Sequence, residues 1–272
     1  MTNKKIMTST IAAPRHYGLI NWIGFWNLYL KEVRRFVVVF TQTILAPMVT
    51  TLLFLAIFTL ALGRAVETVN GVPFTVFLAP GLIVMAMAQN SFANTSSSLV
   101  IAKVQGNIVD VLMPPLSALE LVLAFGLGGA TRGLVVGLAT TIGMSFFVDF
   151  PISHPLIILF YAFFASLMLA LLGVIGGIWS EKFDHMAAFT NFVIMPFSFL
   201  SGTFYSITKL PEPFYTAAFF NPFFYMIDGF RYGFIGVSDA NPIIGIFVML
   251  GVNAFLGLVA WRMFVTGYNL KS

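Results

Sequence analysis

Long stretches without a charged side chain dominate this sequence and restrict what it can fold into. About 20 helical residues cross the roughly 30 Å hydrocarbon layer of a bilayer. Residues 36–62, 74–102, 155–180, 186–208 and 240–261 reach that length with no Asp, Glu, Lys or Arg, and 121–148 does so with Arg132 alone. Charged residues are 9% of the chain and hydrophobic ones 59%, against about 25% and 45–50% in soluble domains. A soluble fold of 272 residues would lack the charges to cover its surface, so lipid covers most of the outside. The expected fold is an all-α integral membrane protein with six spans. Residues 1–35 are read as a cytoplasmic N-terminus with an amphipathic helix, and 36–272 as the transmembrane domain. The first 35 residues lack a compact apolar core followed by a small-residue cleavage site, so they do not read as a signal peptide.

Six spans put both termini on one side. That side carries Lys4, Lys5, Arg15, Lys31, Arg34, Arg35, Lys103, Lys182, Arg262 and Lys271, and the other carries only Arg64, Lys209 and Arg231. Cytoplasmic loops are the Lys- and Arg-rich ones, so both termini are expected in the cytoplasm.

Residues 18–35 read as a helix. At about 100° per residue, Leu19, Trp22, Ile23, Phe25, Trp26, Tyr29, Leu30 and Val33 share one side. Asn21, Asn27, Lys31, Glu32, Arg34 and Arg35 share the other, with Ile20 and Leu28 as exceptions. A basic helix with Trp22 and Trp26 on its apolar face suits the membrane interface, with Lys31, Arg34 and Arg35 meeting anionic headgroups. A surface helix packed on a soluble domain is the alternative, but no such domain is visible. On the opposite side, aromatic residues crowd 211–239, and the uncharged run 213–227 is too short to span. Pro222 interrupts it. The expectation is a re-entrant or interfacial hairpin before the last span, covered by protein or a wet cavity.

Residues 103–119, KVQGNIVDVLMPPLSAL, form the main basic-side loop. Gly106 and the pair Pro114–Pro115 bound a short helix and stiffen its exit. It reads either as a lever for force applied from outside the bilayer or as a plain connection. The next helix extends from 116 to 148 in this reading, about 50 Å at 1.5 Å per residue. Its Arg132 either snorkels to the basic-side headgroups or lines a cavity. Gly126, Gly128, Gly129, Gly133 and Gly137 around it permit close helix approach. Asp228 and Arg231 are three apart and form a candidate ion pair pinning the outer hairpin. The end of the second run, Asn94 to Ser98, is polar and is expected to leave the membrane.

Enzyme signatures are missing. There is no G-x-x-x-x-G-K-[ST], so the chain has no P-loop for ATP. GLGGATRG from Gly126 only superficially resembles a nucleotide loop, and S-x-x-K at Ser206–Lys209 stands without its companion motifs. There is no cysteine. Glu181, Lys182, Asp184 and His185 read as a solvated loop, and His16 and His154 are isolated, so no metal site is expected. Asn94-Thr95-Ser96 is a formal sequon on the cytoplasmic side of this topology and carries no meaning there. An ion-coupled secondary transporter would show inverted repeats and carboxylates within the spans. An intramembrane enzyme would need a nucleophile, base or metal cluster at depth, which Glu120 and Arg132 do not supply.

Two stretches go beyond generic patterning: FLSGTFYSITKLPEPF, 199–214, and NPFFYMIDGFRYGFIGVSDA, 221–240. Their SG-x-F-Y-S-I, LP, NP-x-x-Y and GFRYGF-x-G elements resemble the C-terminal region of ABC-2 type transporter permeases, in particular the bacterial inner-membrane YadH-type group. The likeness extends more weakly to 114–120 and to Arg132–Gly133. It implies a non-catalytic permease subunit of an ATP-driven exporter in the bacterial inner membrane. It implies a homodimer with two copies of a separate ABC ATPase that binds ATP and Mg, this chain holding no cofactor and no nucleic acid. The helix within 103–119 would be the coupling helix, with Gln105, Asn107, Val109, Asp110, Met113, Pro114 and Pro115 facing the ATPase. Glu120, Arg132, Asp228 and Arg231 would be structural or line the path. Related permeases move drugs, lipid-linked glycans and other amphiphiles. The 31 phenylalanines and 13 methionines could line such a path, although lipid contact and packing account for them as well.

Overall fold

The computed structural model describes residues 20–63 and 66–270. Lys4, Lys5, Arg15, His16, Gly18, Leu19, Arg64 and Lys271 lie outside them. Helix α1 (Trp22–Val38) leads to α2 (Thr41–Leu62), whose first five residues form a π-helical turn. A two-stranded antiparallel hairpin, β1 (Thr68–Val69) and β2 (Val72–Pro73), follows. Then come α3 (Phe74–Val104), α4 (Ile108–Leu112), α5 (Ala118–Ser145) and α6 (Pro155–Trp179). Next, α7 (Phe183–Phe189) continues through a π turn (Thr190–Ile194) into α8 (Met195–Phe199). The short α9 (Phe214–Ala218) precedes α10 (Pro222–Ile235) and α11 (Pro242–Thr266).

Among the described residues, five helices are long and apolar enough to cross a membrane: α2, α3, α5, α6 and α11. The expected fifth run, 186–208, does not form one long helix. Its helical part ends at Phe199, and 200–206 turn back on themselves. The helix expected over 116–148 is also shorter, because Ser117 caps it at the start and it ends at Ser145. At 28 residues it is about 42 Å long, and Arg132 sits near its middle. The small β-hairpin departs from an all-helical fold. Asn70 and Gly71 both take positive φ, of 51° and 79°, as the two centre residues of a type I′ turn do.

α3 and α6 are the central pair, with α5, α10 and α11 around them and α2 on the outside. Close approach comes from small residues. A Cβ on Gly133 would lie 3.0 Å from the Met87 carbonyl oxygen and still nearer the Ser91 and Ser166 hydroxyls. The polar run in α3 is therefore not shed to water, as expected from composition, but packed. Asn94, Thr95 and Ser96 are fully buried, and the Thr95 hydroxyl donates to the Ala170 carbonyl at 2.8 Å.

The expected loops collect at two ends. Lys103 donates from Nζ to the Ile178 carbonyl at 2.6 Å at the end of α6, next to Lys182, where the carbonyl end of a helix favours a cation. At the other end the hairpin meets the chain before α11 through Asn70 Nδ2 and Asp239 Oδ1, 2.9 Å apart.

Candidate functional site

The basic end is built around Glu120. Ser117 caps α5, and its backbone N–H donates to Glu120 Oε2 at 2.6 Å while the Glu120 N–H donates to Ser117 Oγ at 3.3 Å, a reciprocal capping box. The other oxygen, Oε1, accepts from the Asn21 backbone N–H, and Asn21 Nδ2 donates to the Pro115 carbonyl at 3.1 Å. One carboxylate thus holds the start of α5, the start of α1 and the exit of the 103–119 loop. Within that loop α4 is anchored by Ile108 and Val111, which are buried. Gln105, Asn107, Val109, Asp110, Met113, Pro114 and Pro115 are all exposed. Met113 is 76% exposed and Val109 54%, so none of the described residues covers the apolar outer face of α4.

Helix α1 lies along the first half of α5 in a way its periodicity does not predict. Trp22, Ile23 and Trp26 point outward, together with Lys31 and Arg34. The inward face is Asn21, Leu28, Glu32 and Phe36. Arg35, expected to meet headgroups, and Glu32, on the same polar side of the helix, are turned into the bundle. Glu32 is fully buried over Gly128, where a Cβ would lie 2.7 Å from Glu32 Cβ. It accepts from Ser98 Oγ at 2.7 Å and from Arg35 Nη2 at 3.3 Å. Arg35 also donates to Asn94 Oδ1 at 3.0 Å and to Ser97 Oγ at 3.1 Å. The physical reason is that α3 presents a polar face at this height, and lipid outside suits the tryptophans better than it suits a carboxylate.

One turn along α3, Arg132 Nη2 donates to Asn90 Oδ1 at 2.9 Å. Arg132 does not snorkel to an interface; it reaches across to α3. Beside Asn90 opens a cleft of about 580 Å³ between α2, α3 and α8. Gln42, Gln89 and Asn90 give it a polar part, and Phe54, Phe58, Phe199 and Phe204 an aromatic one. Phe204 stacks between Phe58 and Phe199, at 4.6 and 5.8 Å between ring centroids. The same ring also borders a second cavity, of about 790 Å³, beneath the β-hairpin.

At the far end, Asp228 and Arg231 are both buried, but they do not pair. Among the described residues Glu32–Arg35 is the sole ion pair within 4.0 Å. Asp228 accepts from Ser238 Oγ at 2.6 Å and from the backbone N–H groups of Asp239 and Ala240 at 2.9 and 3.1 Å. Arg231 donates to the carbonyls of Phe77, Gly202 and Thr203 at 3.2, 2.8 and 3.4 Å, and lies 3.8 Å over the Phe77 ring. Irregular backbone in an apolar setting needs partners for its N–H and C=O groups, and these two side chains supply them. Asp239, not singled out from the sequence, accepts from Ser206 Oγ at 2.8 Å and from the Ile207 N–H at 3.1 Å.

A family model for the ABC-2 type transporter matches residues 24–235, most of the described chain. The chain belongs to the ABC-2 type transporter family. It is 33% identical over 251 residues to the inner membrane transport permease YadH of Escherichia coli strain K12, covering 92% of this chain and 98% of that one. It is also similar to nodulation protein J of Rhizobium leguminosarum bv. trifolii, at 27% identity over 79% of this chain and 81% of the relative. Nodulation protein J of Rhizobium meliloti is 24% identical over 78% and 80%.

In this ABC-2 transporter the two segments that carry the family resemblance meet in space. Arg231, from GFRYGF, grips the Gly202 and Thr203 carbonyls of SG-x-F-Y-S-I. The asparagines of the two Asn-Pro pairs, Asn221 and Asn241, cap α10 and α11, with the prolines at the first helical position. α10 is not an exposed hairpin arm: Phe223 to Arg231 are all buried, among α3, α6 and α11. Residues missed by sequence reasoning are Asn90, Gln89, Gln42 and Phe204. They lie in uncharged runs, where periodicity distinguishes no face from any other.

Proposed function

We propose that this ABC-2 transporter is the membrane subunit of an ATP-driven exporter of amphipathic substrates in a bacterial inner membrane. It works as a homodimer with two copies of a separate ABC ATPase, which binds ATP and Mg, and has both termini in the cytoplasm. In this reading residues 183–199, about 25 Å long, are the fifth of six crossings. The re-entrant element is 211–239, with α10 as its buried arm.

The observation that carries the reading is α4. It is a short helix whose Ile108 and Val111 are held by the bundle while Val109 and Met113 are bare. It sits at the end of the molecule where Lys103 and Lys182 lie, beside the end of α6. A lever pushed from outside needs a bare face for the pusher and a stiff link to the spans. Pro114–Pro115 and the Glu120–Asn21 clamp form that link. Force on α4 reaches α5 directly and, through α1, the Asn94 region of α3; from α5 it reaches Asn90 through Arg132. The inner-membrane location is supported by the likeness to YadH.

The test is coexpression of the tagged chain with an ABC ATPase from the same genome, followed by purification in mild detergent. The ATPase is expected to copurify, and Val109→Glu with Met113→Glu to reduce its recovery about tenfold or more. Recovery of the chain without any ATPase under all gentle conditions would refute the proposal.

A further inference from the structure

We propose that the cleft between α2, α3 and α8 binds an amphiphile with an anionic, oxygen-rich head. The head sits at Gln42 and Gln89, in the field of Arg132, and the tail lies among Phe54, Phe58 and Phe204. This deepens the exporter reading and rests on it in one respect only, that the bound molecule is cargo.

Three observations point to this occupant. The first is the polarity of the cleft, with amides in one part and phenyl rings in the other, in about 580 Å³. That volume falls in the range of small-molecule sites, roughly 300–1,000 Å³. The second is charge. Arg132 stands near the middle of α5, and its Nε is buried without a partner. Among the described residues no carboxylate lies within 4.0 Å of it. Glu32, the acid at the neighbouring height, is already engaged by Arg35 and Ser98. Cations within a span are costly and are ordinarily paired, so an anion arriving here meets a charge that the fold leaves uncompensated.

The third observation is how Arg132 communicates with the cleft. Asn90 is at once a wall residue and the partner of Arg132. Its Nδ2 donates to the Ala86 carbonyl at 2.9 Å, which orients Oδ1 towards the guanidinium. Gln89 has only the Met195 sulfur as acceptor, at 4.0 Å, a weak partner that a phosphate or carboxylate oxygen would displace. If Arg132 only joined α5 to α3, its neutral replacement would change stability but not the choice between headgroups.

The experiment is ligand-dependent thermal stabilisation of the purified full chain in dodecyl maltoside. The probes are dodecyl phosphate, dodecanol and inorganic phosphate. Dodecyl phosphate is expected to bind saturably and about tenfold tighter than dodecanol, the value of one charge-assisted hydrogen bond. Inorganic phosphate at the same concentrations should give no shift. Arg132→Gln is expected to bring the two dodecyl probes to within about twofold of each other, while Lys182→Gln, in an exposed loop, leaves the preference intact. If Arg132→Gln cannot be purified, Gln89→Leu is read instead and should cut the preference about threefold.

Equal affinity for the two dodecyl probes, protection by inorganic phosphate alone, or an unchanged preference in Arg132→Gln would each overturn the site. None of these readings requires the ATPase. Failure here with the ATPase still copurifying removes the site and leaves the exporter. A retained preference with no associated ATPase does the reverse.

Discussion

The two ends of the bundle hold irregular chain with buried ionisable groups, yet they differ in what they leave outside. At the hairpin end, Arg231, Asp228 and Asp239 take up the backbone groups of 202–207 and 238–240. At the basic end, Glu120 and Asn21 clamp the loop, but the apolar outer face of α4 stays bare among the described residues. The contrast separates two uses of a surface. The hairpin end uses its buried charges to hold its own backbone and leaves Phe146, Phe147 and Phe220 exposed beside the spans, whereas the basic end presents Val109 and Met113 on a short helix within a basic-side loop.

This comparison breaks most easily at Arg231. Arg231→Met leaves the Phe77, Gly202 and Thr203 carbonyls without their donor. It is expected to cost on the order of 3 kcal/mol or more, read as a large fall in melting temperature in detergent. Arg231→Lys should recover little, because one ammonium cannot replace a planar fork stacked on Phe77. A variant melting like the parent would show that the outer end is held by something other than these bonds. Glu120→Ala comes next, at about 1–2 kcal/mol for the lost cap, with faster amide exchange in 21–24 as α1 loosens. Unchanged exchange there would remove the link from the loop to α1. Smallest is Val109→Ser with Met113→Ser, expected within about 0.5 kcal/mol of the parent. A large loss of stability would mean that the α4 face serves the fold rather than a partner.

Much of the fold could be read from the distribution of charge alone. The runs at 74–102, 155–180 and 240–261 correspond closely to α3, α6 and α11, because an uncharged stretch of that length has few alternatives to a helix in lipid. Gly106 and Pro114–Pro115 likewise delimit α4. The misreadings share a cause. Periodicity puts Glu32 and Arg35 on the polar face of α1 but does not say whether that face meets water or protein. With lipid as the apolar phase, the greasy side of a helix can face out. The absence of charge over 186–208 favours one helix, yet Arg231, far away in sequence, donates to the Gly202 and Thr203 carbonyls where the chain has left the helix after Phe199. Asp228 and Arg231 have pair spacing, but each is engaged by backbone groups instead. The β-hairpin carried a signal, Asn70–Gly71, that a search for spans passes over.

The burial of Glu32 also bears on how the protein is made. The hydrogen-bond partners of α1 and its cap lie 59 to 102 residues further along the chain: Asn94 and Ser98 in α3, then Pro115, Glu120 and Thr131 in and around α5. When α1 leaves the ribosome none of them exists. It can take its final seat only after α2, α3 and the start of α5 have been made. Among the described helices, the first in sequence is therefore among the last to dock.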